Sequence, residues 1–179
     1  MGVLRRYLQT NSPTLMNYQT AIKLVKDRIT GTRKGLDMPR SAHSALVGAM
    51  LMNEYDEEVC TAGLLHDIIE DSDVTYEELR ELGFSSRVLE LIELVTYDES
   101  VKYKDHRWFL MVAKIIKSGN FSALAIKLCD TMDNFKDRAG LPPDRQPVMR
   151  LKLETLVTLT RPVMKGSALL KSAENLLTT

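Results

Sequence analysis

Apolar residues recur at steps of three and four along almost the whole chain, and this periodicity limits the possible folds more than any other feature. One such run extends from Val88 to Val95, and another from Met149 to Leu159. This spacing places apolar side chains on one face of an α-helix. No stretch has the sustained period-two alternation of a half-buried strand, and no Asn-Gly or Asp-Gly hairpin signal occurs. The sequence therefore predicts an all-α protein of about seven to ten helices.

Length and charge limit the classes of protein to which this chain can belong. The chain has 179 residues, with 24 Lys and Arg against 24 Asp and Glu. We expect one domain over 1–179, with its core at about 18–159 and a helical tail over 160–179. A chain without a basic excess is not expected to bind nucleic acid through bulk phosphate contacts. It also lacks an apolar run long enough to span a membrane and a signal peptide at its start, so we expect a cytoplasmic protein with no membrane partner.

A group of ionisable residues follows an apolar segment near the middle of the chain. His66-Asp67 and Glu70-Asp71 form two doublets about one helical turn apart. On a continuous helix His66 would stand over Glu70, and Asp67 over Asp71. Three carboxylates packed together raise one another's pKa unless a cation is present. Because histidine nitrogen and carboxylate oxygen suit manganese, iron or zinc, we interpret the doublets as part of a divalent metal site.

Two further ligands are needed, and the candidates lie on other predicted helices. His43 lies at the start of a helix rich in small residues, and Asp130 interrupts an apolar helix. Helical bundles build metal sites in this way, with polar groups from several helices at one buried point. As an alternative, Asp130 is a buried acid paired with Lys127. We expect Asp133 to face solvent or an arginine.

The order of these motifs resembles that of the HD-domain phosphohydrolase superfamily. The ligand pattern consists of His43, then His66-Asp67, then Asp130. The longer strings, HDxxED at 66–71 and KLxDxxxN at 127–134, are similar to those of the RelA/SpoT-type hydrolase domain and of the stand-alone small alarmone hydrolases. The similarity extends over about residues 18–159. An isolated His-Asp doublet would carry little information, but the ordered set on helices is specific.

The resemblance implies a reaction and a cofactor. The reaction is removal of the 3′-diphosphate from guanosine 3′,5′-bis(diphosphate) or its pentaphosphate form, which gives GDP or GTP and pyrophosphate. The implied cofactor is one Mn²⁺, with Fe²⁺ or Zn²⁺ as other suitable ions, and the implied partner is a small-molecule nucleotide. The implied site residues are His43, His66, Asp67 and Asp130 for the metal, Glu70 and Asp71 for the attacking water, and Arg33, Lys34, Asn134 and Arg150 for the nucleotide.

Two other functions stay open at this point. Where the hydrolases carry an arginine and, one turn on, a tyrosine, this chain has Arg150 and Glu154. That difference allows an HD-type phosphohydrolase acting on another nucleotide, such as a deoxynucleoside monophosphate. A third hypothesis is a regulatory module that binds a nucleotide without turnover, although a decayed site has no need of so costly a cluster of ionisable groups.

Overall fold

The computed structural model describes residues 13–33 and 37–178, which form ten α-helices and one short 3₁₀ helix. The α-helices are α1 (Pro13–Arg28), α2 (Arg40–Leu51), α3 (Glu57–Leu64), α4 (Ile68–Asp71), α5 (Tyr76–Glu81), α6 (Ser86–Val95), α7 (Lys104–Ser118), α8 (Phe121–Lys136), α9 (Gln146–Thr160) and α10 (Ala168–Leu176), and the 3₁₀ helix is Arg138–Gly140. The predicted all-α fold is confirmed. Within the described ranges, no helix is both long and apolar enough to cross a membrane.

Helix α8 lies at the centre of the fold. Every residue from Ala123 to Asp133 is buried, and a helix that is buried on all sides belongs in the interior. Helices α2, α3, α6, α7, α9 and α10 all pack against it. The polar residues Asp130, Thr131 and Asp133 of α8 therefore face other helices instead of solvent.

Two glycines allow α2 and α3 to pack closely. A Cβ at Gly48 would lie 3.1 Å from the carbonyl oxygen of Cys60, and a Cβ at Gly63 would lie 2.5 Å from Cδ1 of Leu51. Both distances are shorter than ordinary van der Waals contacts, so larger residues would push the helices apart. The close approach brings the first turn of α2 beside the end of α3.

Thr75 caps the N-terminus of α5. The Thr75 side chain accepts a hydrogen bond of 3.2 Å from the amide of Glu78 and begins α5. The Glu78 carboxylate accepts from Arg28 on α1 at 3.0 Å. Glu78 therefore joins α5 to α1.

An ionic contact joins the start of α7 to α9. Asp105 accepts two hydrogen bonds of 2.9 Å from Arg145 and one of 2.9 Å from Nζ of Lys152. Lys152 is 7% exposed, and its ammonium lies 5.4 Å from the centre of the Trp108 ring. Because an unpaired charge away from water is costly, the Asp105 carboxylate is what allows α9 to bury this lysine.

We expect Asp105→Asn to lower the free energy of unfolding by about 1–3 kcal/mol, because the variant leaves the buried Lys152 without a counter-charge. Urea denaturation measures the change. Arg161→Gln is the control, since its pair with Glu174 is exposed and such pairs contribute at most about 1 kcal/mol. Equal effects of the two substitutions would contradict the prediction.

Candidate metal centre and active site

The chain turns at residues 65–67, so the prediction of one continuous helix through this segment is wrong. Leu65 has φ −93° and ψ 3°, and Asp67 has φ −100° and ψ 2°, in a sparsely populated region of backbone space that is common at active sites. His66 Nδ1 donates a hydrogen bond of 2.8 Å to the carbonyl of Gly63. A continuous helix would offer that carbonyl to the amide of Asp67. The turn directs His66 into the interior, where it is 2% exposed.

A cavity of about 310 Å³ opens beside this turn and brings together seven of the ten predicted site residues. They come from the loop before α2, from α2, from the α3–α4 region and from α8. Its walls carry both negative and positive side chains. The lining residues are Arg33, Arg40, His43, Asp67, Glu70, Asp71, Tyr97, Lys104, Lys127, Asp130 and Asn134.

His43, His66 and Asp67 bring three possible ligand atoms to one point, within 4.8 Å of one another. The two imidazole rings meet edge to face, with centroids 5.1 Å apart. Nε2 of His66 is buried and makes no hydrogen bond, although Oδ2 of Asp67 lies 3.0 Å away. A buried nitrogen lone pair facing a carboxylate oxygen is unfavourable unless a proton or a metal cation lies between them. The donor set therefore fits a divalent metal ion.

Asp130 lies beside these donors, and its two oxygens have different partners. Oδ2 accepts from Nζ of Lys127 at 2.6 Å, so the pairing considered as an alternative is present. Oδ1 lies 3.1 Å from Nε2 of His43 and 3.8 Å from Nε2 of His66. Burial alone would raise the pKa of Asp130, but the Lys127 ammonium and the two histidines together outweigh burial and hold the pKa well below its usual value. Asp130 is thus both an ion-pair partner and a neighbour of the histidines.

Asp133 is a further residue at the site, for which the sequence left two alternatives, contact with solvent or with an arginine. It is 5% exposed and lies 2.7 Å from Arg33, so the second alternative is confirmed. Its Oδ2 also lies 2.7 Å from Nδ1 of His43. Burial alone would lower the pKa of His43, but the contacts with Asp130 and Asp133 raise that pKa to about 10. The spacing could have indicated that Asp133 belongs to the site, because it lies one turn after Asp130 on the same face of α8.

Glu70 and Asp71 lie on the cavity wall with different partners. Oε1 of Glu70 accepts a hydrogen bond of 2.9 Å from the amide of Tyr97. Burial raises the pKa of Glu70 to about 7, a value suited to a proton acceptor at neutral pH. Oδ1 of Asp71 lies 3.2 Å from Arg40, and burial together with the Asp67 charge raises the pKa of Asp71. Arg40 is a cavity cation that the sequence analysis did not identify.

Two of the four predicted nucleotide contacts, Arg33 and Asn134, line this cavity. Lys34 lies outside the described residues. Arg150 points elsewhere: its guanidinium donates to Oε1 of Glu154 at 3.0 Å and to the carbonyl of Leu177 at 2.7 Å. The helical phase of α9 thus turns Arg150 towards the end of α10 and away from the cavity.

A second cavity of about 300 Å³ adjoins the first and shares several of its lining residues. Trp108, Leu141 and Met149 make part of its wall apolar. Lys104 lines both cavities. None of these four residues belongs to a motif, so the sequence offered no signal for them. Together the two cavities form a polar region beside the histidines that continues into a more apolar one.

No protein-family model matches the chain. The chain is 28% identical over 162 residues to the bifunctional (p)ppGpp synthase/hydrolase SpoT of Escherichia coli K12, and the alignment covers 86% of this chain but 22% of that protein. It is 40% identical over 82 residues to the guanosine-3′,5′-bis(diphosphate) 3′-pyrophosphohydrolase MESH1 of Drosophila melanogaster, which covers 46% of this chain and 44% of the relative. The chain thus spans less than a quarter of the length of SpoT and about half that of MESH1.

A solved structure is similar over almost the whole chain. It is that of a metazoan ortholog of SpoT, described as hydrolysing ppGpp, with a TM-score of 0.75 and 26% sequence identity. The superposition covers 95% of this chain and 97% of that one. These matches confirm both the fold class and the resemblance that the order of the motifs predicts.

We expect Mn²⁺ to raise the midpoint temperature of unfolding, because an ion that binds only the folded state stabilises it by mass action, by about 2.7 kcal/mol at 100 times the dissociation constant. His66→Ala and Asp67→Ala should abolish the shift. His106→Ala, at an exposed histidine on α7, should retain it. Thermal scans with Mn²⁺ and with EDTA make the comparison, and equal shifts in all three variants would contradict a metal centre at this point.

Proposed function

We propose that this chain, a relative of the RelA/SpoT-type hydrolases of the HD-domain superfamily, is a metal-dependent hydrolase that removes the 3′-diphosphate from guanosine 3′,5′-bis(diphosphate) or its pentaphosphate form. Water attacks the phosphorus bonded to O3′, the bond between this phosphorus and O3′ breaks, and O3′ takes up a proton. The products are GDP or GTP and pyrophosphate. The similarity to SpoT and MESH1, which are named for (p)ppGpp hydrolysis, supports this substrate. The residues of the site support metal-dependent attack by water.

The observation that carries the proposal is the convergence of His43, His66 and Asp67 on one point, with Asp130 beside them. These four side chains would hold one divalent ion. We propose Mn²⁺, although two nitrogens and two oxygens also suit Fe²⁺ or Zn²⁺. Such an ion lowers the pKa of water and polarises a phosphoryl oxygen when it is bound. The unbonded Nε2 of His66 supports this assignment, because metal ligation would satisfy it.

Glu70 is the proposed acceptor of the proton that the attacking water loses. A pKa of about 7 keeps a large fraction of its carboxylate ionised at neutral pH while leaving it basic enough to take a proton. The amide of Tyr97 holds one carboxylate oxygen in place. Asp71, fixed by Arg40, would orient the water from the same wall of the cavity.

Arg40 and Lys104 are the proposed cations for the phosphates. Both line the first cavity. Arg40 contacts Asp71 but its side chain is 48% exposed, whereas Lys127 is buried against Asp130. Cations beside the reacting phosphorus stabilise the charge that develops on its oxygens. The apolar wall of the second cavity, which includes Trp108, would take the nucleoside.

Pyrophosphate release from guanosine 3′,5′-bis(diphosphate) with added Mn²⁺ tests the proposal, with EDTA as the control. A panel of nucleoside and deoxynucleoside monophosphates, assayed for phosphate release, runs in parallel. Release of phosphate from a monophosphate alone would keep the metal chemistry and overturn the substrate. Binding of Mn²⁺ without turnover of any substrate would favour a nucleotide-binding module.

We expect Glu70→Gln to lower kcat by roughly 10²- to 10⁴-fold, the usual contribution of a general base. Its Mn²⁺ affinity should stay close to that of the wild type, because Glu70 is not among the proposed ligands. Glu77→Gln makes the same chemical change at an exposed position on α5 and should leave the rate unchanged. An unchanged kcat in Glu70→Gln would show that another group accepts the proton.

A further inference from the structure

Arg33 is held by side chains of α8 and of the residue that follows it. Its Nη1 lies 2.7 Å from Oδ2 of Asp133 and 2.7 Å from Oδ2 of Asp137, and its Nη2 donates to Oδ1 of Asn134 at 2.7 Å. The side chain is 12% exposed. The backbone of Arg33 is also fixed, since its amide donates to the carbonyl of Met38 at 2.8 Å. A guanidinium with these contacts has few hydrogen-bond donors left for a ligand.

Two of these partners continue to proposed metal ligands. Oδ2 of Asp133 accepts from Arg33 and also lies 2.7 Å from Nδ1 of His43. Nδ2 of Asn134 donates to Oδ1 of Asp130 at 2.5 Å. One arginine from the loop before α2 therefore contacts both residues that hold a proposed ligand in place.

We propose that Arg33, Asp133 and Asn134 are positioning residues that orient His43 and Asp130 for a divalent cation, and that Arg33 acts through them instead of by contact with the nucleotide. This inference rests on the proposed metal centre. A carboxylate at Nδ1 keeps the proton on that nitrogen and directs the lone pair of Nε2 towards the cation. Arg33 fixes the oxygen that does this, because the same Oδ2 atom accepts from both groups.

The roles of Arg33 in nucleotide binding and in positioning lead to different measurements. A nucleotide contact, as the sequence analysis expected, would raise KM for the substrate when it is removed and leave Mn²⁺ affinity unchanged. A positioning residue would weaken Mn²⁺ binding in the absence of any substrate. It would leave KM nearly unchanged once Mn²⁺ is saturating.

The experiment measures the Kd for Mn²⁺ alone by electron paramagnetic resonance of the free ion, for the full chain and three variants. We expect Asp133→Asn to weaken binding about 10- to 100-fold, the usual effect of removing a carboxylate that orients a ligand histidine. Arg33→Gln should weaken it less, because Asp133 itself remains. Asp137→Asn is the matched control: this residue touches Arg33 but is 34% exposed, so Mn²⁺ affinity should stay within about twofold.

Steady-state kinetics at saturating Mn²⁺ completes the test, and circular dichroism checks that each variant is folded. Should Asp133→Asn fail to fold, Arg33→Gln carries the comparison, since it alters a loop side chain. Weakened Mn²⁺ binding with unchanged KM in Arg33→Gln supports the proposal. Unchanged Mn²⁺ affinity with raised KM overturns it and leaves the metal centre intact, whereas absence of Mn²⁺ binding by the wild type overturns the metal centre as well.

Discussion

The hydrogen bond from His66 Nδ1 to the carbonyl of Gly63 is the contact on which the arrangement of the site depends. With that carbonyl occupied, the chain turns at residues 65–67, and Asp67 becomes the residue that precedes α4. The same bond leaves Nε2 of His66 buried and without a hydrogen-bond partner, 3.0 Å from Asp67 and 3.8 Å from Asp130. The convergence of possible ligand atoms at this point thus follows from one local hydrogen bond and from the close packing of α2 on α3.

The acidic residues around this point are tolerated because most of them have a cation of their own. These pairs are Asp130 with Lys127, Asp71 with Arg40 and Asp133 with Arg33. Asp67 differs from them, since its nearest partners are the two histidines. Glu70 differs again: burial dominates its environment, and its pKa of about 7 follows from that burial. Asp71 and Asp130 thus have both a cationic partner and a proposed role at the site, whereas the contacts of Asp67 and Glu70 are with the histidines and with a backbone amide.

Much of the fold and seven of the eleven residues that line the first cavity could be predicted from the sequence, because they depend on local spacing and on the order of motifs. Helix formation follows the three- and four-residue recurrence of apolar side chains, as in the run from Val88 to Val95, which the structure places in α6. The order of His43, His66-Asp67 and Asp130 predicted one shared site. Three of these residues line the first cavity, and His66 brings a possible ligand atom to within 4.8 Å of those of His43 and Asp67. Spacing failed where a side chain competes with the backbone, as at His66, because periodicity carries no information on such hydrogen bonds.

The sequence by itself determined the helices and the set of possible ligands, and it gave the expectation of a cation among them. Only the tertiary structure decided that Asp133 is buried against His43, that Arg33 binds α8, and that Arg150 turns away from the cavity. The physical reason is distance along the chain. The contacts of Arg33 with Asp133 and Asn134 join residues 100 and 101 positions apart, and that of His43 with Asp133 joins residues 90 apart. Such partners are selected by how α2, α8 and the loop between α1 and α2 pack together, which no local pattern specifies.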